Sequence, residues 1–346
     1  MTAPQSNPHP VRVAMFSAQP YDRRFFEEAR AAGGPGRGDI AIDYHDTALD
    51  IGTAVLAQGC GAVCVFVNDV LDAAVLERLH GGGVRAILLR CAGFNNVDLA
   101  ALARLGMFAA RVPAYSPEAV AEHALAMILT LNRHTHRAFN RVREGNFALD
   151  GLLGFTLHGK TAGIVGTGKI GLATARILRG FGCRVLGYDP YPSPAFEALG
   201  SMVPLDELLE LSDIVSLHCP LTEATRHLVS HATLGRMKAG AMLVNTSRGA
   251  LVDTAAVIEA LKSRRLGALA IDVYEQESAL FFRDHSSDII ADDVFGRLTS
   301  FPNVLITGHQ GFFTVEALRE IAAITFDNLA CWRSGGACAN MLPSPD

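Results

Sequence analysis

Three glycines in the segment GTGKIG constrain the fold of this chain more than any other feature. They are Gly166, Gly168 and Gly171, and they follow an apolar run at 161–166 and open an amphipathic stretch. Glycines at this spacing let backbone N–H groups approach a pyrophosphate at the positive end of a helix. The order strand, glycine loop, helix therefore predicts a βαβ unit that binds a dinucleotide.

An acidic residue at the end of the next predicted strand strengthens this prediction. Asp189 ends the run RVLGYD, about twenty residues beyond the glycines, where its carboxylate can accept hydrogen bonds from a ribose diol. The carboxylate also repels a 2′-phosphate, so NAD is predicted over NADP. Gly163 to Lys169 reads GxxxxGK, as in nucleoside-triphosphate loops, but Ile170 replaces the Ser or Thr that binds Mg²⁺. A tight βα turn without a ligand is the remaining alternative.

Two series of alternating strand and helix signals predict two α/β domains with parallel sheets. The predicted strands are Val11–Phe16, Ile40–Tyr44, Ala62–Val67, Arg85–Leu89 and Phe108–Val112 in the first series, and 161–166, Arg184–Tyr188, Asp213–His218, Ala241–Thr246, Ala268–Asp272 and Val304–Thr307 in the second. The chain after Thr314 reads as a helix, which is too short to be a domain. We therefore predict a discontinuous first domain, 1–114 plus 313–346, and a dinucleotide-binding domain, 115–312.

Capping signals predict one long helix between the two series. Ser116 can cap it, Pro117 suits its first turn and Glu118 favours its positive end, so the helix is predicted to run to about Arg143. The segment 278–300 is polar and poorly periodic, which predicts a surface excursion with partial helix.

Composition narrows the class of protein. A hydrophobic fraction of 49% and a charged fraction of 19% are typical of a globular protein. The net charge of −5 gives no basic field for nucleic acid, and no apolar run approaches the ~20 residues that span a membrane.

The start has no signal-peptide pattern, and the seven cysteines form no CxxC pair, so we predict a cytoplasmic protein with reduced thiols and no metal site. Residues 1–10 are predicted to be a flexible tail and 33–39 a surface loop.

Three polar segments follow strands of the second series, where open α/β sheets bind ligands. They contain Arg248, Glu277 and His309. Arginine can bind a carboxylate through two parallel hydrogen bonds, and histidine can give or take a proton when a partner fixes its tautomer. These residue types suit the reduction of a 2-oxo acid, with Glu277 or Glu275 as the partner. Each residue alone is more often a surface or packing residue.

Segments along nearly the whole chain resemble the D-isomer-specific 2-hydroxyacid dehydrogenases, and most closely their fermentative D-lactate dehydrogenases. The matching segments are AVCVFVND, RCAGFNNVDL, RVPAYSPEAVAEHA, FTLHGKTAGIVGTGKIG, SLHCPLT, NTSRGALVD, IDVYEQE and DDVFGRL. The resemblance implies two Rossmann-like or flavodoxin-like doubly wound domains with the active site in the cleft between them. It implies reduction of pyruvate to D-lactate by NADH, and a homodimer or homotetramer.

The same resemblance implies the role of each matched residue. Arg248 binds the substrate, Glu277 orients the histidine and His309 is the acid/base. The glutamate of the family lies five residues after the position of Asp272, which selects Glu277 over Glu275.

Further contacts are implied for the substrate and the cofactor. Ala92 and Gly93 offer backbone N–H groups to the substrate carboxylate, while Tyr115 and Phe312 border its side chain. The implied cofactor contacts are Gly166, Gly168, Lys169, Ile170, Gly171, Asp189, His218, Pro220, Thr246 and Asp272.

One departure and several alternatives accompany the resemblance. Gly308 precedes His309 where much of the family has proline, which predicts a looser loop without loss of activity.

A 2-oxoisocaproate or a glyoxylate/hydroxypyruvate enzyme would keep the same catalytic residues, and an NAD(H)-sensing, corepressor-like scaffold can share the fold. A formate dehydrogenase is disfavoured, because removing hydride from formate needs no proton acceptor paired with Glu277.

Overall fold

The computed structural model describes residues 10–34, 37 and 39–343. Most of the predicted tail and three residues of the predicted loop at 33–39 lie outside the described residues. Contacts between Cα atoms divide the chain into unit 1, Met1–Ser116 with Thr314–Asp346, and unit 2, Pro117–Phe313. The predicted boundaries, after 114 and 312, fall within two residues of this division.

Unit 1 contains a parallel five-stranded sheet. Its strands are β1 (Val11–Met15), β2 (Ile40–Tyr44), β3 (Ala62–Val65), β4 (Ala86–Leu89) and β5 (Phe108–Arg111). Its helices are α1 (Pro20–Ala31), α2 (Ala73–Gly81), α3 (Leu99–Leu105) and α12 (Val315–Ser334), with a 3₁₀ helix at Thr53–Ala57. The strand order β2-β1-β3-β4-β5 is that of flavodoxin-like folds.

The apolar runs of unit 1 form its central strands because helices cover both faces of a parallel sheet. Every residue of β3 and β4 is buried. The last helix, α12, contributes Ala322, Phe326 and Leu329 to the core that contains Val13 and Met15 of β1. The end of the chain therefore completes the core that its beginning starts.

Unit 2 contains a parallel seven-stranded sheet. Its strands are β6 (Thr161–Val165), β7 (Arg184–Tyr188), β8 (Ser201–Met202), β9 (Ile214–Leu217), β10 (Ala241–Asn245), β11 (Leu266–Ile271) and β12 (Val304–Ile306). Its helices are α4 (Pro117–Arg133), α5 (Thr135–Arg143), α6 (Lys169–Gly180), α7 (Pro194–Glu197), α8 (Leu205–Leu211), α9 (His231–Arg236), α10 (Thr254–Lys262) and α11 (Asp293–Thr299), with 3₁₀ helices at Gly249–Leu251 and Glu277–Ala279.

The order of the strands in unit 2 reverses at β6. From one edge to the other the order is β12-β11-β10-β9-β6-β7-β8, which is the Rossmann order with one strand added. Connections leave β6 and β9 toward opposite sides, so a crevice opens at the carboxyl ends of these two neighbouring strands. Ligands bind at such a reversal in open α/β sheets.

Two local predictions differ from the structure. The predicted single helix to Arg143 is wrong, because His134 has a left-handed backbone with φ of 51° and separates α4 from α5. The N–H groups of Arg137 and Ala138 bond to the His134 carbonyl, so a new helix begins there. The two-residue strand β8 is absent from the prediction, since its apolar signal is too short to recognise.

Two other features bear on the class of protein. All seven cysteines lie in the described part of the chain and are free thiols. Among the described helices, none combines the length and the apolar character that crossing a membrane requires.

A buried ion pair ties the end of β4 to α1. The Arg90 guanidinium donates to the Asp22 carboxylate at 3.3 and 3.4 Å and to the Ser17 carbonyl at 2.8 Å. The side chains of Arg90 and Asp22 are only 2% and 6% exposed. A buried charge without its partner is costly, so the buried Asp22 carboxylate depends on Arg90. The loop after β1 depends on Arg90 as well, through the Ser17 carbonyl.

The substitution Arg90→Met is expected to lower the free energy of unfolding by about 3–5 kcal/mol, because the Asp22 carboxylate stays buried without its cation. The control Arg104→Met removes an exposed pair with Glu77, which contributes no more than about 1 kcal/mol. Urea unfolding followed by circular dichroism measures both. Equal losses in the two variants would contradict the importance of the buried pair.

Candidate active site

The glycine loop follows β6 and leads directly into α6. Gly166 has φ of +95°, and a Cβ atom there would lie 2.6 Å from the backbone nitrogen of Cys219. A Cβ atom on Gly171 would lie 2.0 Å from the Gly166 carbonyl oxygen. These contacts require glycine, while the space around Gly168, the N-cap of α6, is open. The first N–H groups of α6, including those of Lys169 and Ile170, are therefore available to an anion.

Asp189, directly after β7, fixes the shape of this loop. One carboxylate oxygen accepts hydrogen bonds from the backbone N–H of Thr167 at 2.8 Å and from its hydroxyl at 3.3 Å, and the other accepts from Tyr191 N–H at 2.9 Å. Each carboxylate oxygen can accept more than one hydrogen bond. The carboxylate can thus hold the loop and still accept from a ribose diol.

Three more predicted cofactor residues follow the strands on the other side of β6. His218 and Pro220 come after β9 and Thr246 after β10. Burial lowers the pKa of His218 to about 4, so its ring is neutral at neutral pH and bonds to the Ser216 hydroxyl at 2.9 Å. Within the part of the chain that the structure describes, the buried Thr246 hydroxyl has no hydrogen-bond partner. The glycine cradle and this unsatisfied hydroxyl fit a polar, pyrophosphate-containing cofactor.

His309 and Glu277 form a direct hydrogen bond. His309 Nδ1 lies 2.8 Å from Glu277 Oε1, and the two side chains are 14% and 17% exposed. The other carboxylate oxygen accepts from the Tyr274 N–H at 2.9 Å. Glu275 pairs instead with His227 at 2.7 Å. The structure therefore separates the two glutamates that the sequence pattern left open.

Aromatic rings border the His309 imidazole. The Phe282 and Phe312 rings have centroids 5.7 and 6.4 Å from that of His309. Phe312 is buried, and its ring is perpendicular to the imidazole. The His309 imidazole therefore has aromatic neighbours in addition to its carboxylate partner.

Arg248 follows β10 and immediately precedes the 3₁₀ helix at Gly249–Leu251. Its guanidinium donates to the Ser247 carbonyl at 2.7 Å, and its own carbonyl accepts from the Asn245 side chain at 2.8 Å. The asparagine side chain at the end of β10 therefore holds the backbone of Arg248. Among the described residues, the guanidinium has no other hydrogen-bond partner, so four of its five N–H donors stay available to a ligand.

Unit 1 contains the other predicted substrate residues. Ala92 and Gly93 lie in the loop after β4, and Tyr115 lies in the segment between β5 and α4. Arg111, at the end of β5, donates to the Ala92 carbonyl at 2.7 Å, and its guanidinium lies 5.0 Å from the Phe94 ring centroid. Arg111 thus holds the loop at both Ala92 and Phe94.

Comparisons with known proteins give one consistent result. A family model, described as the NAD-binding domain of D-isomer-specific 2-hydroxyacid dehydrogenases, matches residues 125–311. The chain is 59% identical over 332 residues to 2-hydroxyacid dehydrogenase A of Aspergillus oryzae, covering 96% of this chain and 95% of that protein. The chain belongs to the D-isomer-specific 2-hydroxyacid dehydrogenase family.

Solved structures agree with this assignment. The ligand-free D-lactate dehydrogenase of Escherichia coli is 50% identical with a TM-score of 0.86, covering 96% of this chain and 100% of that one. The pyruvate reductase of Chlamydomonas reinhardtii is 45% identical with a TM-score of 0.88, covering 96% and 98%. The predicted family, the fold of two doubly wound α/β domains and the NAD cofactor of this dehydrogenase are confirmed.

Sequence reasoning missed several polar and aromatic residues of the dehydrogenase that contact predicted site residues of their own unit. They are Arg111, His123, Phe282 and Thr307. His123 Nε2 lies 3.1 Å from the Thr307 hydroxyl although 184 positions separate the two residues. The segment RVPAYSPEAVAEHA contains Arg111 and His123, but its spacing says nothing about which distant residues they contact.

The substitution Gly171→Ala is expected to weaken NADH binding at least tenfold, because the added methyl collides with the Gly166 carbonyl and moves α6 away from the loop. Gly180→Ala is the matched control, since it lies in the same helix with nothing within 4 Å of its Cβ position. Titrating the two variants by NADH fluorescence measures the effect. Similar affinities would contradict the close approach of α6 to the glycine loop.

Proposed function

We propose that this dehydrogenase reduces pyruvate to D-lactate with NADH, and that His309 is the acid/base. The single observation that carries the proposal is the hydrogen bond between His309 Nδ1 and Glu277 Oε1. A histidine held by a carboxylate suits general acid–base catalysis because the carboxylate fixes the tautomer and the orientation of the ring.

The direction of this hydrogen bond determines which nitrogen can act. An ionised carboxylate only accepts hydrogen bonds, so Nδ1 of His309 carries a proton in both states of the ring. Nε2 is then the nitrogen that gives a proton to the carbonyl oxygen during reduction and takes it back during oxidation. The Phe282 and Phe312 rings lie beside the imidazole, and apolar neighbours of this kind limit the water that competes for the proton.

Arg248 and the loop at Ala92 and Gly93 are proposed to hold the substrate carboxylate. Arginine matches the two oxygens of a carboxylate, and backbone N–H groups add donors without charge. Bound NADH supplies the hydride that the carbonyl carbon receives. In this proposal unit 1 is the substrate-binding domain and unit 2 the NAD-binding domain.

The size of the substrate depends on the aromatic side chains. Tyr115 and Phe312 are proposed to border the methyl group of pyruvate, and Phe282 adds a ring near His309. The relatives named D-lactate dehydrogenase and pyruvate reductase support a small 2-oxo acid. Enzymes for 2-oxoisocaproate or for glyoxylate and hydroxypyruvate are the alternatives, since they need the same acid/base and a different pocket wall.

The assay follows NADH absorbance with pyruvate, 2-oxobutyrate, glyoxylate, hydroxypyruvate and 2-oxoisocaproate. Pyruvate is expected to give the highest kcat/KM and D-lactate as the product. His309→Asn is expected to lower kcat at least about 100-fold, in the range of general acid catalysis, while NADH still binds. Asparagine is chosen because it tolerates the left-handed backbone of His309, φ 54°.

The possible outcomes separate the alternatives. Preference for a bulkier acid would move the activity within the family, and an active His309→Asn would contradict the acid/base role. Tight NADH binding without turnover of any acid would favour a sensing scaffold.

An exposed apolar surface supports a homodimer. The α5 surface is formed by α5 and the segment after it, and its apolar side chains are 51–93% exposed. Its members are Phe139, Val142, Phe147, Leu149 and Leu153. Monomers seldom expose such a group of large apolar side chains, so we propose that a second copy of the chain covers it.

The free thiols support a cytoplasmic location.

The wild-type protein is expected to sediment at a multiple of its 36.9 kDa chain mass, and Leu153→Glu is expected to shift it toward the monomer by burying a charge in the interface. Ile289→Glu is the control, because Ile289 is 97% exposed in the excursion at 278–300. Analytical ultracentrifugation compares the three proteins. A wild-type monomer at micromolar concentration would exclude the proposed dimer.

A further inference from the structure

Asp272, directly after β11, accepts hydrogen bonds from three consecutive backbone N–H groups of the His309 loop. Its carbonyl accepts from His309 N–H at 2.7 Å, and its carboxylate accepts from the N–H groups of Gln310 at 2.9 Å and Gly311 at 2.8 Å. His309 has φ of +54°, in the left-handed region that is uncommon for residues other than glycine. The shape of this loop therefore depends on where the Asp272 carboxylate lies.

His123 of α4 contacts the same carboxylate. Its Nε2 lies 3.2 Å from Asp272 Oδ1 and 3.1 Å from the Thr307 hydroxyl. The Thr307 hydroxyl donates its own proton to Asp272 Oδ1, so it can only accept from His123. Both acceptors require a proton on Nε2, and this fixes His123 as a donor.

Asp272 is buried, with 1% of its surface exposed. Burial alone would raise the pKa of Asp272, but the hydrogen bonds from His123, Thr307 and Gln310 outweigh it and lower the pKa. The carboxylate is therefore ionised, and a buried anion is stable only while its hydrogen-bond donors are in place. Gly311 lies against the same ring, since a Cβ atom there would be 3.5 Å from His123 Cδ2.

We propose that His123 is a positioning residue for the proton transfer of His309, acting through Asp272 and Thr307. The inference rests on the proposed function. His123 lies seven positions into unit 2, and the His309 loop lies just before the end of that unit at Phe313. His123 thus ties the first helix of unit 2 to its last segment and holds the imidazole of His309 at the angle at which Glu277 binds it.

The experiment compares His123→Leu, which removes the donor, with His123→Gln, whose amide can still donate to Asp272. His123→Leu is expected to lower kcat for pyruvate at least about tenfold, as loss of alignment does, and His123→Gln to keep kcat within about threefold of wild type. Thr307→Val is a nearly isosteric second variant that disturbs the same carboxylate and is expected to lower kcat in the same direction.

Asn132→Leu is the matched structural control. Asn132 is buried at the other end of α4, 5% exposed against 16% for the His123 side chain, and bonds to the backbone of Phe155 at 2.7 and 2.9 Å. This variant is expected to lower Tm as His123→Leu does but to keep kcat and the pH profile of kcat. Hydrogen exchange of the Gln310 and Gly311 amides is expected to quicken in His123→Leu and to stay unchanged in Asn132→Leu.

Two results would overturn the inference. One is wild-type kcat in both His123→Leu and Thr307→Val. The other is an equal loss of kcat in His123→Leu and Asn132→Leu at equal loss of Tm, which would mean a structural role only. If the wild-type protein reduces no 2-oxo acid, the proposed function fails, and unchanged exchange at Gln310 and Gly311 in His123→Leu then overturns the inference independently.

Discussion

The reversal of strand order between β6 and β9 is the constraint on which the candidate site of unit 2 depends. Parallel strands present all their carboxyl ends at one edge, so a residue that follows any strand reaches the same edge. Residues from all over the chain of unit 2 therefore meet there without being neighbours in sequence. The residues that follow β6, β7, β9, β10, β11 and β12 are Gly166, Asp189, His218, Thr246, Asp272 and Thr307.

Buried carboxylates then give the loops at these edges their shape. Asp272 in unit 2 and Asp69 in unit 1 are each 1% exposed, and each accepts backbone hydrogen bonds from a loop after a strand. Burial raises the pKa of Asp69, whereas the side-chain donors around Asp272 lower its pKa. A hydrogen bond to an ionised carboxylate stabilises the charge that burial destabilises, and at Asp272 the hydrogen bonds outweigh burial.

Much of the fold was predictable because its signals are local. Apolar runs bounded by glycines and acidic residues predicted eleven strands that the structure contains, and the glycine loop with Asp189 predicted the NAD-binding unit. The break at His134 was not predictable, since the surrounding residues include neither proline nor glycine. The strand β8 has two residues and exists because it pairs with β7, which is a tertiary contact.

By itself the sequence determined the strands, the glycine loop and the family to which the catalytic residue types belong, because each of these depends on residues near one another in the chain. The residue pattern left Glu275 and Glu277 open, the family resemblance selected Glu277, and the tertiary structure shows its bond to His309. Only the tertiary structure decided which side chain meets Asp272. Glu275 and Glu277 are equivalent to a sequence pattern, but the turn after β11 points one toward His227 and the other toward His309. The bond from His123 to Thr307 spans 184 positions, and only the packing of α4 against the carboxyl ends of β11 and β12 brings the two together.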